Sequence, residues 1–252
     1  MKLTEHIYMV ASGEVGISDP GDCHTYLIDG GSEYALIDSG CGSQRSIEAI
    51  LTNIERDGLD VTLLRQVILT HWHFDHAGGA RAFHDRFGCR VLAPAGERAF
   101  VEAGRANIPA CPVDVAVNDG DQIAVGDFEL LAYCLPSHSE AITAYRLDTP
   151  EGRALFVGDI VFTNGVIGLL NAPGSDLAKF RANLPRLAGL QVDSLLCGHM
   201  LFAVGDGQRH IDVAIRNVRK MTVPFSVGQF GVPLLPWDFP EEALPLVEGD
   251  AS

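Results

Sequence analysis

The first apolar runs of the chain are short and are separated by glycine and aspartate, which is the pattern of β-strands joined by turns. They occupy residues 7–10, 25–28 and 34–37. Because Asp29, Gly30 and Gly31 form a turn sequence between the last two runs, we expect an antiparallel meander at the start of the fold.

Helical spacing begins after this meander. Over residues 44–56 apolar positions recur every three or four residues, with Ser43 as a candidate N-cap and Gly58 as a stop. An uninterrupted apolar run follows at 66–69, which is typical of a strand buried on both faces.

The rest of the chain mixes both periodicities. Further helices are predicted at about 79–87, 96–103, 176–187 and 208–221, and further strands at 90–93, 122–125, 128–134, 142–147, 154–157 and 194–197. Two halves of mixed strands and helices predict an α+β fold, an αββα sandwich of two facing β-sheets with helices on both outer faces. We expect one domain over residues 1–252, of which 223–252, rich in proline, glycine and aromatic residues, form a loop-rich tail.

Composition excludes some function classes. The chain has 252 residues, 47% of them hydrophobic and 20% charged, as in a globular protein. A net charge of −15 disfavours a nucleic-acid partner, because a phosphate backbone would be repelled. The basic residues near the end of the chain lie at helical spacing and are interpreted as a solvated helix face: Arg209, Arg216, Arg219 and Lys220.

The sequence also predicts a cytoplasmic protein that has no membrane partner. Glu5 and His6 interrupt the start, where a secretion signal needs an apolar run, and no stretch approaches the roughly 18 apolar residues of a membrane span. The six cysteines lack the paired spacing of a disulfide framework or a zinc ribbon, so we expect most of them to be reduced and buried.

A group of polar residues directly follows the apolar run at 66–69, namely His71, His73, Asp75 and His76. Residues two apart lie on the same side of an extended segment but on opposite sides of a helix, so His71 and His73 can share one ion only at a strand end or loop. Asp75 and His76 fall where the chain turns into a helix and can reach a neighbouring ion.

This segment resembles the His-x-His-x-Asp-His motif of the metallo-β-lactamase-like hydrolases, and the resemblance covers nearly the whole chain. Residues 36–40, Leu-Ile-Asp-Ser-Gly, match the end of the family's first hairpin. Asp159 after 156–158 and His199 after 196–198 correspond to the bridging carboxylate and the last ligand. His138 takes the remaining position, although serines flank it where the family usually has glycine and threonine.

The resemblance implies two divalent metal ions, with zinc as the first candidate and iron and manganese as alternatives. It implies His71, His73 and His138 on one ion, Asp75, His76 and His199 on the other, and Asp159 on both. A hydroxide bridging the ions would be the nucleophile, and Asp75 would orient it and pass its proton to the leaving group.

The implied reaction is hydrolysis of a carboxylic ester, lactone or thioester of a small molecule. True β-lactamases of the family usually lack the bridging aspartate and are commonly exported, so β-lactam hydrolysis ranks lower. Residues 158–162 look like hydroxyacylglutathione hydrolase, while some lactonases have tyrosine where this chain has Phe162. An iron-dependent sulfur dioxygenase remains an alternative from another class because histidine and aspartate also bind iron. A nuclease and a non-catalytic binding protein are minor alternatives.

Substrate contacts are predicted at His24, Phe162 and Ile167. His24 lies at the start of a strand whose loop often reaches the active-site mouth in this superfamily. Phe162 and Ile167 belong to a group of apolar residues proposed for an acyl pocket, together with Val166, Leu169, Leu170, Phe225 and Phe230. His6, His84 and His210 are expected outside the metal site, and a homodimer is left open.

Overall fold

The computed structural model describes residues 1–105, 108–220 and 224–227. Its strands are β1 (Ile7–Ala11), β2 (Thr25–Asp29), β3 (Tyr34–Ile37), β4 (Leu64–Ile68), β5 (Arg90–Pro94), β6 (Val115–Val117), β7 (Gln122–Val125), β8 (Phe128–Cys134), β9 (Thr143–Thr149), β10 (Gly152–Gly158), β11 (Ser194–Cys197) and β12 (Ala203–Val204). Its helices are α1 (Gln44–Arg56), α2 (Phe74–Ala77), α3 (Ala80–Phe87), α4 (Arg98–Ala103), α5 (Leu177–Asn183) and α6 (Gly207–Val218).

The strands form two six-stranded sheets, in the orders β1-β2-β3-β4-β5-β6 and β12-β11-β10-β9-β8-β7. In the first sheet β1, β2 and β3 are antiparallel, as the predicted meander requires, and β3, β4, β5 and β6 are parallel. In the second sheet only β10 and β11 are parallel. The expected pair of mixed sheets is therefore confirmed.

Three apolar cores hold these layers together. The middle core joins both sheets, since it contains Ile7 and Met9 of β1 and also Phe156 of β10. Intervening residues of the same strands face outward into two further cores, Tyr8 towards α1 and α3, and Leu155 towards α5 and α6. Because successive strand residues point to opposite faces, strands covered on both sides need continuous apolar runs. The layers are thus helix, sheet, sheet and helix.

Several boundaries differ from the sequence prediction for identifiable reasons. The helix predicted over 176–187 is α-helical only to Asn183 and continues as a 3-10 turn at Leu184–Leu187, where Pro185 supplies no backbone N–H. The short elements β6, β12 and α2 were not predicted. The predicted end of the last helix at Met221 and nearly all of the 223–252 tail lie outside the described residues.

Helix α1 has the N-cap that the sequence predicts. The Ser43 side chain caps α1 by accepting a hydrogen bond from the Ser46 backbone N–H at 3.0 Å. All six cysteines are free, and four of them are buried. No helix in the described part of the chain is long and apolar enough to cross a membrane.

Candidate metal centre

The candidate residues lie at one edge of the sandwich, where strands of the same direction end. In the first sheet, β3 ends before Asp38 and β4 ends before the segment that carries His71. In the second sheet, β8, β10 and β11 run in one direction, and their ends are followed by His138, Asp159 and His199. Packing the two sheets face to face brings both sets of loops together.

Three histidines form the first group. His71, His73 and His138 offer ligand atoms that all lie within 4.8 Å of one another. His73 Nδ1 and His138 Nε2 are 3.0 Å apart, and the three rings are buried. This spacing suits a single cation coordinated by three ring nitrogens.

Asp75, His76 and His199 form the second group, also within 4.8 Å. Asp75 Oδ2 lies 2.9 Å from His199 Nε2 and 3.6 Å from His76 Nε2. Asp75 and His76 reach this place because α2, one turn long, begins at Phe74 immediately after His73. The sequence prediction placed these two residues where the chain turns into a helix, although it did not predict α2 as a separate element.

Asp159 lies between the two groups. Its Oδ1 atom is 3.6 Å from His76 Nε2, and its Oδ2 atom is 3.6 Å from His138 Nε2 and 3.7 Å from His199 Nε2. The carboxylate thus faces both groups at once, as the resemblance implies for a bridging ligand.

Buried atoms without hydrogen-bond partners test whether these residues fit metal ions. His71 Nε2, His76 Nε2 and Asp159 Oδ1 are buried and make no hydrogen bond in the described structure. A buried polar atom left unsatisfied costs about 1–3 kcal/mol, more if charged, so three around one point need a common partner. Imidazole nitrogen and carboxylate oxygen are ligands of divalent zinc, iron and manganese, and the set fits such ions.

Three of the histidines make a hydrogen bond through Nδ1, and this bond orients the ring so that Nε2 points to the centre. His76 Nδ1 donates to Asp38 Oδ2 at 2.8 Å, and His138 Nδ1 donates to the Gly168 carbonyl at 2.5 Å. The Thr70 hydroxyl donates to Asp38 Oδ2 at 2.9 Å and therefore accepts from His71 Nδ1 at 2.9 Å. With Nδ1 protonated, each of these histidines presents the Nε2 lone pair to the centre.

Electrostatics keep the first group in the form that binds metal. Burial, together with the neighbouring histidines, lowers the pKa of His71 and His73 well below the ordinary value for histidine, and burial also lowers the pKa of His138. These rings are therefore neutral at pH 7. Burial by itself raises the pKa of Asp159, but His199 and His76 outweigh it, so the pKa falls below the usual carboxyl range and Asp159 is ionised.

Asp38 is a supporting residue to which the sequence prediction gave no role. It is 1% exposed and has a positive φ of 63°, a conformation that is uncommon for a residue with a side chain. Its carboxylate accepts hydrogen bonds from the Thr70 backbone N–H at 2.7 Å and from His76, so it joins the ends of β3 and β4 to the centre. The only sequence signal was its place in the Asp-Ser-Gly segment.

The three residues predicted to contact substrate are all buried. His24 is 1% exposed, and its two ring nitrogens are bonded to Ser12 Oγ at 2.9 Å and to the Met200 carbonyl at 2.8 Å. Phe162 and Ile167 have no exposed surface and pack in the core beside α5 and α6. All three side chains are thus held by contacts within the protein, and substrate contact at these positions stays a prediction.

The other residues predicted near a pocket have mixed positions. Val166 is 8% exposed, Leu169 and Leu170 are partly buried, and Phe225 is 60% exposed. Phe230 lies outside the described residues. The accessible side of the centre is formed by His199, Asp75 and Asp159, whose side chains are 24%, 12% and 10% exposed.

The remaining histidines lie elsewhere. His84 is on α3 beside Asp85, and His6 packs against Phe128. His210 on α6 accepts a hydrogen bond from the Asn164 backbone N–H at 2.9 Å. None of the three belongs to a metal-ligand group among the described residues.

Comparison with known proteins relates this centre to one family. The family model described as "Metallo-beta-lactamase superfamily" matches residues 18–199. A lactamase-like protein of Aspergillus niger is 29% identical over 192 residues, covering 75% of this chain and 53% of that protein. A hydroxyacylglutathione hydrolase of Brucella ovis is 30% identical over 184 residues, covering 73% of this chain and 60% of that enzyme. The chain thus spans between half and two-thirds of these relatives' lengths.

Solved structures show the same fold. A subclass B3 metallo-beta-lactamase of Bradyrhizobium japonicum superposes with a TM-score of 0.70 at 22% identity, covering 86% of this chain and 89% of that one. A metallo-beta-lactamase family protein of Thermus thermophilus gives a TM-score of 0.68 at 21% identity, with coverages of 85% and 80%.

Proposed function

This chain belongs to the metallo-beta-lactamase superfamily, and we propose that it is a two-metal hydrolase that cleaves a carboxylic ester, lactone or thioester of a small molecule. The proposal combines the family's metal-dependent hydrolysis with the arrangement of seven side chains at one edge of the sandwich.

The position of Asp159 carries the proposal of two ions. Its two oxygens face histidines of both groups at 3.6–3.7 Å, and Oδ1 is buried without a hydrogen bond. The seven residues would hold the ions as follows: His71, His73 and His138 the first, Asp75, His76 and His199 the second, and Asp159 both.

In the proposed reaction the metal ions activate water and stabilise charge, and a side chain of the protein transfers the proton. When bound, two divalent ions make water nucleophilic at neutral pH and stabilise negative charge on the substrate oxygen. Asp75, on the accessible side, would accept the proton that the attacking water loses as its oxygen bonds to the acyl carbon. It would return that proton to the oxygen or sulfur that leaves as its bond to the acyl carbon breaks.

The relatives bear on the type of bond. Relatives named hydroxyacylglutathione hydrolase favour a thioester, and esters and lactones present the same acyl carbon with an oxygen leaving group. A structural neighbour that is 25% identical and is named a metallo-beta-lactamase keeps β-lactam cleavage as the alternative within hydrolysis.

A substrate panel tests the proposal. Protein loaded with zinc, and in parallel with manganese or iron, is assayed on an aryl ester, a lactone, a hydroxyacyl glutathione thioester and a β-lactam. We expect hydrolysis of at least one of the first three, abolished by chelation and restored by added metal. His138→Ala should lower kcat/KM by about 100-fold or more, because the first ion loses a ligand.

His84→Ala is the matched control, since it makes the same change at a histidine of α3 outside the centre, and it should leave kcat/KM unchanged. Metal-loaded protein inert on the ester, lactone and thioester would refute the proposal, and cleavage of the β-lactam alone would select the alternative. Oxygen uptake by iron-loaded protein with an organic persulfide, without hydrolysis, would instead support the dioxygenase.

A further inference from the structure

A buried carboxylate lies behind the metal centre and has no part in the proposed hydrolysis. Glu97, just before α4, has no exposed surface. It is separate from all four groups of candidate metal ligands found among the described residues. A buried carboxylate is costly unless hydrogen bonds compensate it, so its contacts indicate what it does.

Glu97 contacts two loops that belong to different sheets. Its Oε2 atom accepts a hydrogen bond from the Trp72 backbone N–H at 2.7 Å. Its Oε1 atom accepts from Ser139 Oγ at 2.6 Å and from the Ala141 backbone N–H at 2.7 Å. Trp72 stands between His71 and His73, and Ser139 follows His138, so one side chain joins the two loops that carry the three-histidine group.

We propose that Glu97 is a positioning residue that sets the distance between these two loops and thereby the affinity of the three-histidine site for its metal ion. The inference rests on the proposed function and concerns one of its two metal sites, the three-histidine site. His71, His73 and His138 come from opposite sheets, and Glu97 bonds directly to both of the loops that hold them.

The chemistry of the contacts requires a carboxylate. All three groups that face Glu97 donate, and two of them are backbone N–H groups that cannot reverse their role. In glutamine one of the two oxygens becomes an NH2 donor, which would face either the Trp72 N–H or the Ala141 N–H. Glu97→Gln therefore keeps the size of the side chain and breaks the link to one loop.

The cost of this arrangement argues against a packing role alone. Burial raises the pKa of Glu97 to about 7, although its three hydrogen-bond donors act in the opposite direction. An apolar side chain of similar size would fill the space but would leave the Trp72 and Ala141 N–H groups without an acceptor, so the three hydrogen bonds are the distinctive contribution of Glu97. The Trp72 side chain is held by its own contacts, since its ring stacks on Phe100 at 5.0 Å and its Nε1 donates to Glu140 at 2.9 Å.

Stepwise metal binding to the whole 252-residue chain tests the proposal. Zinc or cobalt is titrated against a competing chelator to obtain two dissociation constants, and His138→Ala identifies the step that belongs to the three-histidine site. We expect Glu97→Gln to weaken that step by about 10- to 100-fold and to leave the other within about threefold. General destabilisation would not select one step.

Glu102→Gln is the matched control, because it makes the same substitution on α4 at an exposed position paired with Arg98. It should change neither dissociation constant. If Glu97→Gln does not fold, Ser139→Ala is measured in its place, because it removes one of the three donors to Glu97. We expect it to weaken metal binding at the same step by a smaller factor.

Two negative results are distinguishable. Wild-type protein that binds no metal would refute the proposed function itself. Wild-type protein that binds two ions, with both dissociation constants unchanged in folded Glu97→Gln, or in Ser139→Ala if that variant decides, would refute the role of Glu97 alone. Equal weakening of both steps would also refute it.

Discussion

The rings of His71, His76 and His138 each use Nδ1 for a hydrogen bond, to Thr70, Asp38 and Gly168 respectively. A histidine held in this way loses little freedom when a cation binds its other nitrogen. The centre is thus organised by the chain's own hydrogen bonds, and Asp38 takes part in two of the three links.

Gly198 is a residue beside the centre that leaves no room for a larger side chain. A Cβ atom there would lie 2.3 Å from Asp159 Oδ1 and 2.6 Å from His76 Cε1. Gly198→Ala should displace one of these ligands and reduce kcat/KM by about 100-fold, since a shift near 1 Å has that effect on reacting groups. Metal content and hydrolysis rates measure this.

Gly58→Ala serves as the control for Gly198→Ala. Gly58 has a φ of +78°, and a Cβ atom there would meet nothing within 4 Å, so alanine should cost about 1 kcal/mol of stability and leave metal content unchanged. Normal metal content and activity in Gly198→Ala would show that the centre tolerates the added methyl group.

At this scale the sequence predicted the candidate ligands but not their support. Histidines and aspartates at fixed spacing after apolar runs are visible in a single sequence. Glu97 gives no such signal, because its three partners are contacts across the fold. The burial of Phe162 and Ile167 was not predicted either, since an apolar residue has the same sequence pattern whether it faces the core or a pocket.

Among the elements, the direction of the strands decides which loops meet. β3 and β4 are parallel, and β10 and β11 are parallel, so Asp38, Asp159 and the segments before His71 and His199 emerge at one edge. Long periodic segments such as α1 and strands with clear turns such as β7 and β8 were predicted with their observed bounds. β6 and β12 were not, because two or three residues carry no periodicity.

The cap of α1 offers a test of stability apart from chemistry. Ser43 Oγ accepts from the Ser46 N–H at 3.0 Å and donates to Asp19 at 2.8 Å, and neither partner is a candidate ligand. Ser43→Ala should lower the free energy of unfolding by about 1 kcal/mol, measured by denaturant titration, with kcat/KM unchanged. Ser43→Thr keeps the hydroxyl and should recover most of the loss; equal stability of all three proteins would contradict the assigned cap.

For the molecule as a whole, the two sheets contribute different parts of the centre. The first sheet supplies His71, His73, Asp75 and His76, and the second supplies His138, Asp159 and His199. Neither group is complete without both sheets. The α+β sandwich was predictable because apolar runs and helical repeats alternate along the chain, whereas the packing that joins distant loops was predicted only through the resemblance. The small-molecule partner, the absence of a nucleic-acid partner and the homodimer stay predictions.

Anomalous diffraction at the metal absorption edge, from crystals of protein loaded with zinc, tests the central claim most directly. We predict two peaks, one within bonding distance of His71, His73 and His138 and one within bonding distance of Asp75, His76 and His199, with Asp159 reaching both. A single peak at full loading, or peaks away from these side chains, would contradict a two-metal centre in this protein.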